Sequence, residues 1–300
     1  MFTLSHELVV PTTQKFKPIV ALLHSPCSCS IAEPTNLADL LQGNLPYSYL
    51  HQIHTRIFQL GAHQDNLVAT RLIGHYPSRI ALRVFHHLQN PNIFPFNAII
   101  RVLAQEGNFF HAFSLFKDLK RHPLSPNDFT FSFLLKACFR SKDLRHVEQI
   151  HVHIQKTGFL SDPSVCNGLV SVYAKGYNHL PSARKVFDEI PDKRVVSCWT
   201  SLISGFARSG QSEEALRLFH VMISQNLLPQ SDTMVSVLSA CSSLEVPKIE
   251  KWINILSELI GDGVSTRETY CDSVNTALVY LLGKWEKVEK SREGNRKLRK

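Results

Sequence analysis

The sequence predicts an all-α fold, a solenoid of stacked helix–turn–helix repeats of about 31–36 residues. Three observations predict it. A short signature, Ala-x-x-(Leu or Val)-Phe, occurs four times: ALRVF at Ala81–Phe85, AFSLF at Ala112–Phe116, ARKVF at Ala183–Phe187 and ALRLF at Ala215–Phe219. The alanines are 31, 71 and 32 residues apart, and the middle step is two units long. A second, longer period pairs Phe96 with Trp199, Gly107 with Gly210, Ala112 with Ala215, Phe116 with Phe219, Pro126 with Pro229 and Cys138 with Cys241, always at an offset of 103. Three units of about 35, 35 and 32 residues give that sum, so the chain is built from triplets. The third observation is the apolar spacing. Phe96, Ile99, Ile100 and Leu103, then Ala112, Leu115, Phe116 and Leu119, follow the i, i+3, i+4, i+7 pattern of an amphipathic helix.

Each element follows from local chemistry. Gly107 lies between the two apolar stripes, where a helix ends and turns. Pro126 closes the unit, because proline cannot continue a helix. The next triplet repeats the plan with Trp199, Leu202, Ile203 and Phe206, then Gly210, then Ala215, Leu218, Phe219 and Met222, then Pro229. Small Ala112 and Ala215 let paired helices approach, and Phe116 and Phe219 fill the space between them. One hairpin cannot bury its apolar face alone, so neighbouring units must stack.

The stretch EQIHVHIQKTGFLSD, Glu148 to Asp162, raises a rival reading, a metal or catalytic site at His151 and His153. Its copy HQIHTRIFQLGAHQD, His51 to Asp65, lies 97 residues earlier and answers it. His54 matches His151, but Arg56 stands where His153 does. A metal pair would not lose a ligand between copies, so the histidine reads as a packed helix-face residue. The offset falls short of 103 because the copy from Asn66 to Asn92 lacks about four residues, one helical turn, near His75–Ser78.

Composition narrows the function. Hydrophobic residues make up 44% of the 300, enough for a core, and no apolar run approaches the ~18 residues of a spanning helix. The net charge of +8 favours polyanionic partners. Eight basic and three acidic residues from Lys284 to Lys300 supply +5 of it. Seven cysteines, an odd count without a CxxC, argue for a reducing compartment and against a disulfide framework, and Cys27 and Cys29 form the one close pair. Residues 1–35 carry four prolines and few acids, as a transit peptide does, although arginine is absent.

Tetratricopeptide repeats need Trp, Leu-Gly and Tyr at set places, a pattern not found here. The phrases ARKVFDEIPDKR, WTSLISGFARSGQSEEALRLF and DFTFSFLLKAC instead resemble the pentatricopeptide repeat family of plant organelles, in its subclass of standard, long and short repeats. The resemblance implies a right-handed α-solenoid. It divides the chain into an N-terminal extension at 1–35, an array of about seven to eight units at 36–293 with the last incomplete, and a basic tail at 294–300. Within the array, units run 66–92, 93–127, 128–162, 163–195, 196–230 and 231–271, and a last unit begins near Asp272.

The same resemblance implies that each repeat reads about one RNA base, mainly through its fifth residue with help from its last. The residues so assigned are Asn97 with Asn127, Thr200 with Gln230, Ser132 with Asp162, and the fifth residues Thr70, Asn167 and Thr276. Asn97 with Asn127 would favour a pyrimidine and Ser132 with Asp162 guanine. Gln230 departs from the usual Asp or Asn. Ser, Thr and Asn near a helix start are also ordinary N-caps, and that alternative stands beside the RNA reading.

No catalytic machinery is evident. Relatives often carry a cytidine-deaminase-like domain, whose chemistry needs H-x-E followed by C-x-x-C. His146-Val147-Glu148 supplies the first piece and nothing supplies the second. The expected function is therefore sequence-specific binding of single-stranded RNA in a mitochondrion or chloroplast. It needs no cofactor or metal, and an editing or processing protein would supply catalysis. The rivals are a protein-interaction scaffold and, because the final repeat gives way to GNRKLRK, a truncated remnant.

Overall fold

The computed structural model describes residues 34–43, 45–141, 144–176, 179–244, 246–261, 276–277 and 279–284. The expected transit segment up to residue 33 lies outside them. So do the basic tail at 294–300, most of the last repeat, and Cys27, Cys29 and Cys271. All regular structure among the described residues is helical. In chain order the helices are α1 (Pro34–Leu40), α2 (Tyr47–Gln59), α3 (Asn66–His75), α4 (Ser78–His86), α5 (Ile93–Gln105), α6 (Phe109–Leu119), α7 (Asp128–Ser141), α8 (Leu144–Thr157), α9 (Pro163–Ser171), α10 (Leu180–Glu189), α11 (Val196–Arg208), α12 (Ser212–Ser224), α13 (Ser231–Ser243) and α14 (Val246–Gly261). The chain forms two compact units that meet in sequence at Phe133 and Leu134, inside α7.

Each unit is a stack of helical hairpins. In the first, α3 pairs with α4 and α5 with α6, while α1, α3 and α5 pack in succession as one layer. In the second, α9 pairs with α10 and α11 with α12, and α9, α11 and α13 form the corresponding layer. The all-α repeat fold expected from the periodicity is the fold observed.

The stripes read from the sequence are the core. Phe96, Ile99, Ile100, Leu103, Ala112, Phe116 and Leu119 are buried in the first unit, and Trp199, Leu202, Ile203, Ala215, Leu218, Phe219 and Met222 in the second. Burying each large side chain contributes about 1.5–3 kcal/mol. Trp199 replaces Phe96 without leaving its indole N–H unpaired, since it donates to the Lys193 carbonyl at 2.7 Å.

Gly107 and Gly210 end α5 and α11 in the left-handed region, at φ 76° and 78°. Gly107 N–H donates to Ala104 O and Asn108 N–H to Leu103 O; Gly210 N–H donates to Ala207 O and Gln211 N–H to Phe206 O. This double closure satisfies two terminal carbonyls and requires a residue without Cβ strain.

The two histidines marked by the sequence are packing residues, as the missing second ligand implied. His54 Nδ1 lies 3.0 Å from the Tyr76 hydroxyl, and His151 Nδ1 lies 3.4 Å from the Tyr173 hydroxyl. The tyrosines keep the same offset of 97. Burial lowers the pKa of both histidines and pushes both tyrosines up to about 12.

The copies diverge after the tyrosines. Between Tyr76 and Ala81 the second copy gains five residues rather than four, as the positions of Tyr173 and Ala183 require. At the start of that insertion, and including Tyr173, is a π turn, Val172–Gly176, that extends α9 and packs on α11.

Candidate nucleic-acid interface

Helices α5 and α11 each bury nine residues, because neighbours pack on several of their sides. Such helices are usually apolar throughout. Here Asn97, Thr200, Ser201 and Ser204 are buried among the hydrophobic residues, at 5–8% exposure, and each needs a partner.

In the first unit the partners come from the start of the next repeat. Asn127 precedes α7, and its Oδ1 accepts from Thr130 N–H at 3.1 Å, while Thr130 Oγ1 accepts from Asn127 N–H at 3.2 Å. This reciprocal closure is a capping box with threonine at the third helical position. Asn97 joins it from α5. Its Nδ2 donates to Asn127 Oδ1 at 2.9 Å, and Thr130 Oγ1 donates to Asn97 Oδ1 at 2.6 Å.

The pair opens on a cavity of about 480 Å³ that Thr70, Arg71, Phe94, Arg101 and Phe129 also line. Phe94 and Phe129 are 61% and 56% exposed. Arg71 and Arg101 are exposed, and among the described residues neither makes a hydrogen bond or ion pair. Gly74 makes room for one of them, since a Cβ there would lie 2.8 Å from Arg101 Nη2. The wall thus combines hydrogen-bonding edges, aromatic faces and free guanidinium charge. Those groups match base edges, base faces and phosphates respectively.

The second unit repeats the arrangement with different chemistry. Gln230 and Thr233 form the capping box at the start of α13, and Thr200 Oγ1 lies 2.7 Å from Thr233 Oγ1. Thr200 also donates to the Val196 carbonyl at 3.1 Å. Asn167 accepts from the Ser201 hydroxyl at 3.0 Å. Asp162 caps α9, accepting from Ser164 N–H and Val165 N–H, both at 2.9 Å.

The structure therefore brings Asn97 to Asn127 directly, and Thr200 to the Gln230 turn through Thr233. Ser132 is half-buried near the start of α7, and Thr276 is exposed and helical. Thr70 is half-buried on the cavity wall and donates to the Asn66 carbonyl at 2.6 Å. The capping alternative applies to Asn127, Asp162 and Gln230, the last residues of their units, which do cap helices. It does not apply to Thr70, Asn97 or Thr200, which lie one turn inside. Sequence reasoning missed Thr130 and Thr233, although they are separated by the same 103 residues as the six recognised pairs. It also missed Arg71 and Arg101, whose place on the cavity wall depends on how α3 and α5 pack.

The profile of the PPR repeat family matches residues 91–140 and 194–243. The chain belongs to the pentatricopeptide repeat family. A pentatricopeptide repeat-containing protein of Arabidopsis thaliana is 33% identical over 244 residues, covering 80% of this chain and 35% of the relative. The chloroplastic Arabidopsis thaliana protein CRR2 is 34% identical over 203 residues, covering 64% of this chain and 31% of its own length. This pentatricopeptide repeat chain thus spans about a third of the curated relatives it matches. Among solved structures, the pentatricopeptide repeat protein PPR10 in complex with an 18-nt psaJ RNA element is similar at 16% identity and a TM-score of 0.34, covering 84% of this chain and 50% of that one.

Proposed function

We propose that this pentatricopeptide repeat chain binds single-stranded RNA in a sequence-dependent way, at about one base per repeat. The observation that carries the reading is the cavity of the first unit. There the assigned pair Asn97 and Asn127 stands beside exposed Phe94 and Phe129 and the unpaired Arg71 and Arg101. Arginine and aromatic faces hold a strand whatever its sequence, and the amide edges discriminate between bases. Asn97 with Asn127 then reads a pyrimidine, and Ser132 with Asp162 reads guanine.

The chain works in a plant organelle, and chloroplastic names among its relatives support that place. It serves RNA processing such as C-to-U editing as the recognition component, with catalysis supplied by a separate protein. The experiment is selection from a randomised single-stranded RNA pool, with Asn97→Asp and Thr200→Asn in parallel. The reading expects enriched sequences that change at one base position with each variant. Binding without enrichment, removed uniformly by salt, would refute it and leave the protein-scaffold alternative.

A further inference from the structure

The readers are not free to present either hydrogen-bonding edge, because the capping boxes behind them have a fixed direction. A backbone N–H can only donate. Asn127 N–H gives its proton to Thr130 Oγ1, and Thr130 N–H gives its own to Asn127 Oδ1. The Thr130 hydroxyl, already an acceptor, keeps one proton, and its nearest acceptor is Asn97 Oδ1 at 2.6 Å. Asn97 Nδ2 then faces Asn127 Oδ1. This holds the Asn97 oxygen against a buried hydroxyl, with Thr130 0% exposed. Asn97 keeps a second amide proton, and the one lone pair left on its oxygen lies beside the buried hydroxyl, so the amide nitrogen is its free donor.

In the second unit the same relay ends the other way. Gln230 N–H donates to Thr233 Oγ1 at 3.3 Å. Thr233, also 0% exposed, lies 2.7 Å from Thr200 Oγ1, and it is the donor of that pair because Thr200 has another acceptor for its single proton. Thr200 commits its own proton to the Val196 carbonyl. Thr200 therefore retains only a lone pair.

We propose that Thr130 and Thr233 are positioning residues that set the hydrogen-bond polarity of the readers. Asn97 is held as a donor and selects a base that offers an acceptor. Thr200 is held as an acceptor and selects a base that offers a donor. The inference rests on the RNA reading proposed above and adds to it residues that touch no base. Neither threonine belongs to the assigned reader pairs, and each acts from the repeat that follows.

The test uses the 300-residue chain and the randomised single-stranded RNA pool. Asn97→Ala first identifies the base position that Asn97 reads. Thr130→Val, similar in shape but without the hydroxyl, should lower the preferred base's enrichment there by about fivefold, the equivalent of a single hydrogen bond of about 1 kcal/mol. Non-specific affinity and its salt dependence should not change. Thr130→Ser should restore the preference, and Thr233→Val should relax the position read by Thr200. Melting curves identify variants that do not fold. If Thr130→Val is one of them, Thr130→Cys and Thr233→Val decide the matter. Loss of preference with Asn97→Ala but not with folded threonine variants would overturn this inference and leave the RNA reading intact. No enrichment with the unaltered chain would overturn both.

Discussion

Gly205→Ala sets two effects of known size against each other. Gly205 lies within α11, where alanine normally stabilises a helix by about 1 kcal/mol relative to glycine. At this site a Cβ would come 2.7 Å from Ala174 Cβ, 3.3 Å from Ala174 Cα and 3.2 Å from Leu180 Cδ2. Leu180 can rotate away. Ala174 cannot, because its Cβ moves only with the backbone, and that backbone is the π turn Val172–Gly176 packed on α11. Overpacking costs about 1–3 kcal/mol, and a clash against backbone belongs at the upper end. The expected net loss is about 2 kcal/mol, read as a lower urea midpoint of the helical circular dichroism signal. Gly168→Ala is the internal control. Its new Cβ meets the end of a flexible side chain, Leu135 Cδ1 at 3.1 Å, so that variant should be near neutral or slightly stabilised. A Gly205→Ala chain as stable as the original would refute the reasoning, as would equal losses at the two glycines.

Three further outcomes are expected. Burial holds the pKa of His54 and His151 below the ordinary 6.5. The unfolded chain therefore binds more protons near that pH, and the histidine contribution to stability is full above about 6.5 and is lost as pH falls through the lowered folded values. The urea midpoint should drop between about pH 7 and pH 5, and a His54→Gln, His151→Gln double variant should flatten that drop. Arg71→Gln and Arg101→Gln should each reduce the salt slope of RNA binding by about 1 without altering the enriched sequence, in titrations over a salt series. Cys138, Cys166, Cys198 and Cys241 are free and at most 1% exposed, and burial pushes the Cys241 thiol up to about 12. Peptide mapping after brief iodoacetamide treatment of the native chain should find these four unmodified, and rapid alkylation of any of them would contradict the packing.

Much of the fold was legible because helical periodicity and the 103-residue offset are both patterns that the sequence carries without reference to which helices touch. Phe96, Ala112 and Phe116 announce their burial by spacing alone, and Gly107 announces its turn by its place between two stripes. The His54 and His151 pair was correctly reduced to packing by comparing copies. Their tyrosine partners went unnoticed because 22 residues separate each pair and the repeat length changes just beyond them. The polar network was less legible for a physical reason. The fifth residue of a repeat is spoken for by the third residue of the next, a contact across about 33 residues that no helical period encodes. The proximity of Cys166 and Cys198, 3.6 Å between sulfurs, was hidden in the same way.

The capping threonines also change where one module ends. The segment from Ile93 to Asn127 contains the amide pair, yet the hydroxyl that orients Asn97 belongs to Thr130. A graft cut at Asn127 would carry the reader and leave its support behind, giving a hybrid whose base preference depends on whatever residue the recipient offers three places downstream. The transplantable cassettes in this array run from Ile93 through Thr130 and from Val196 through Thr233, so each takes in the first three residues of the repeat that follows it, and adjacent repeats cannot be exchanged independently.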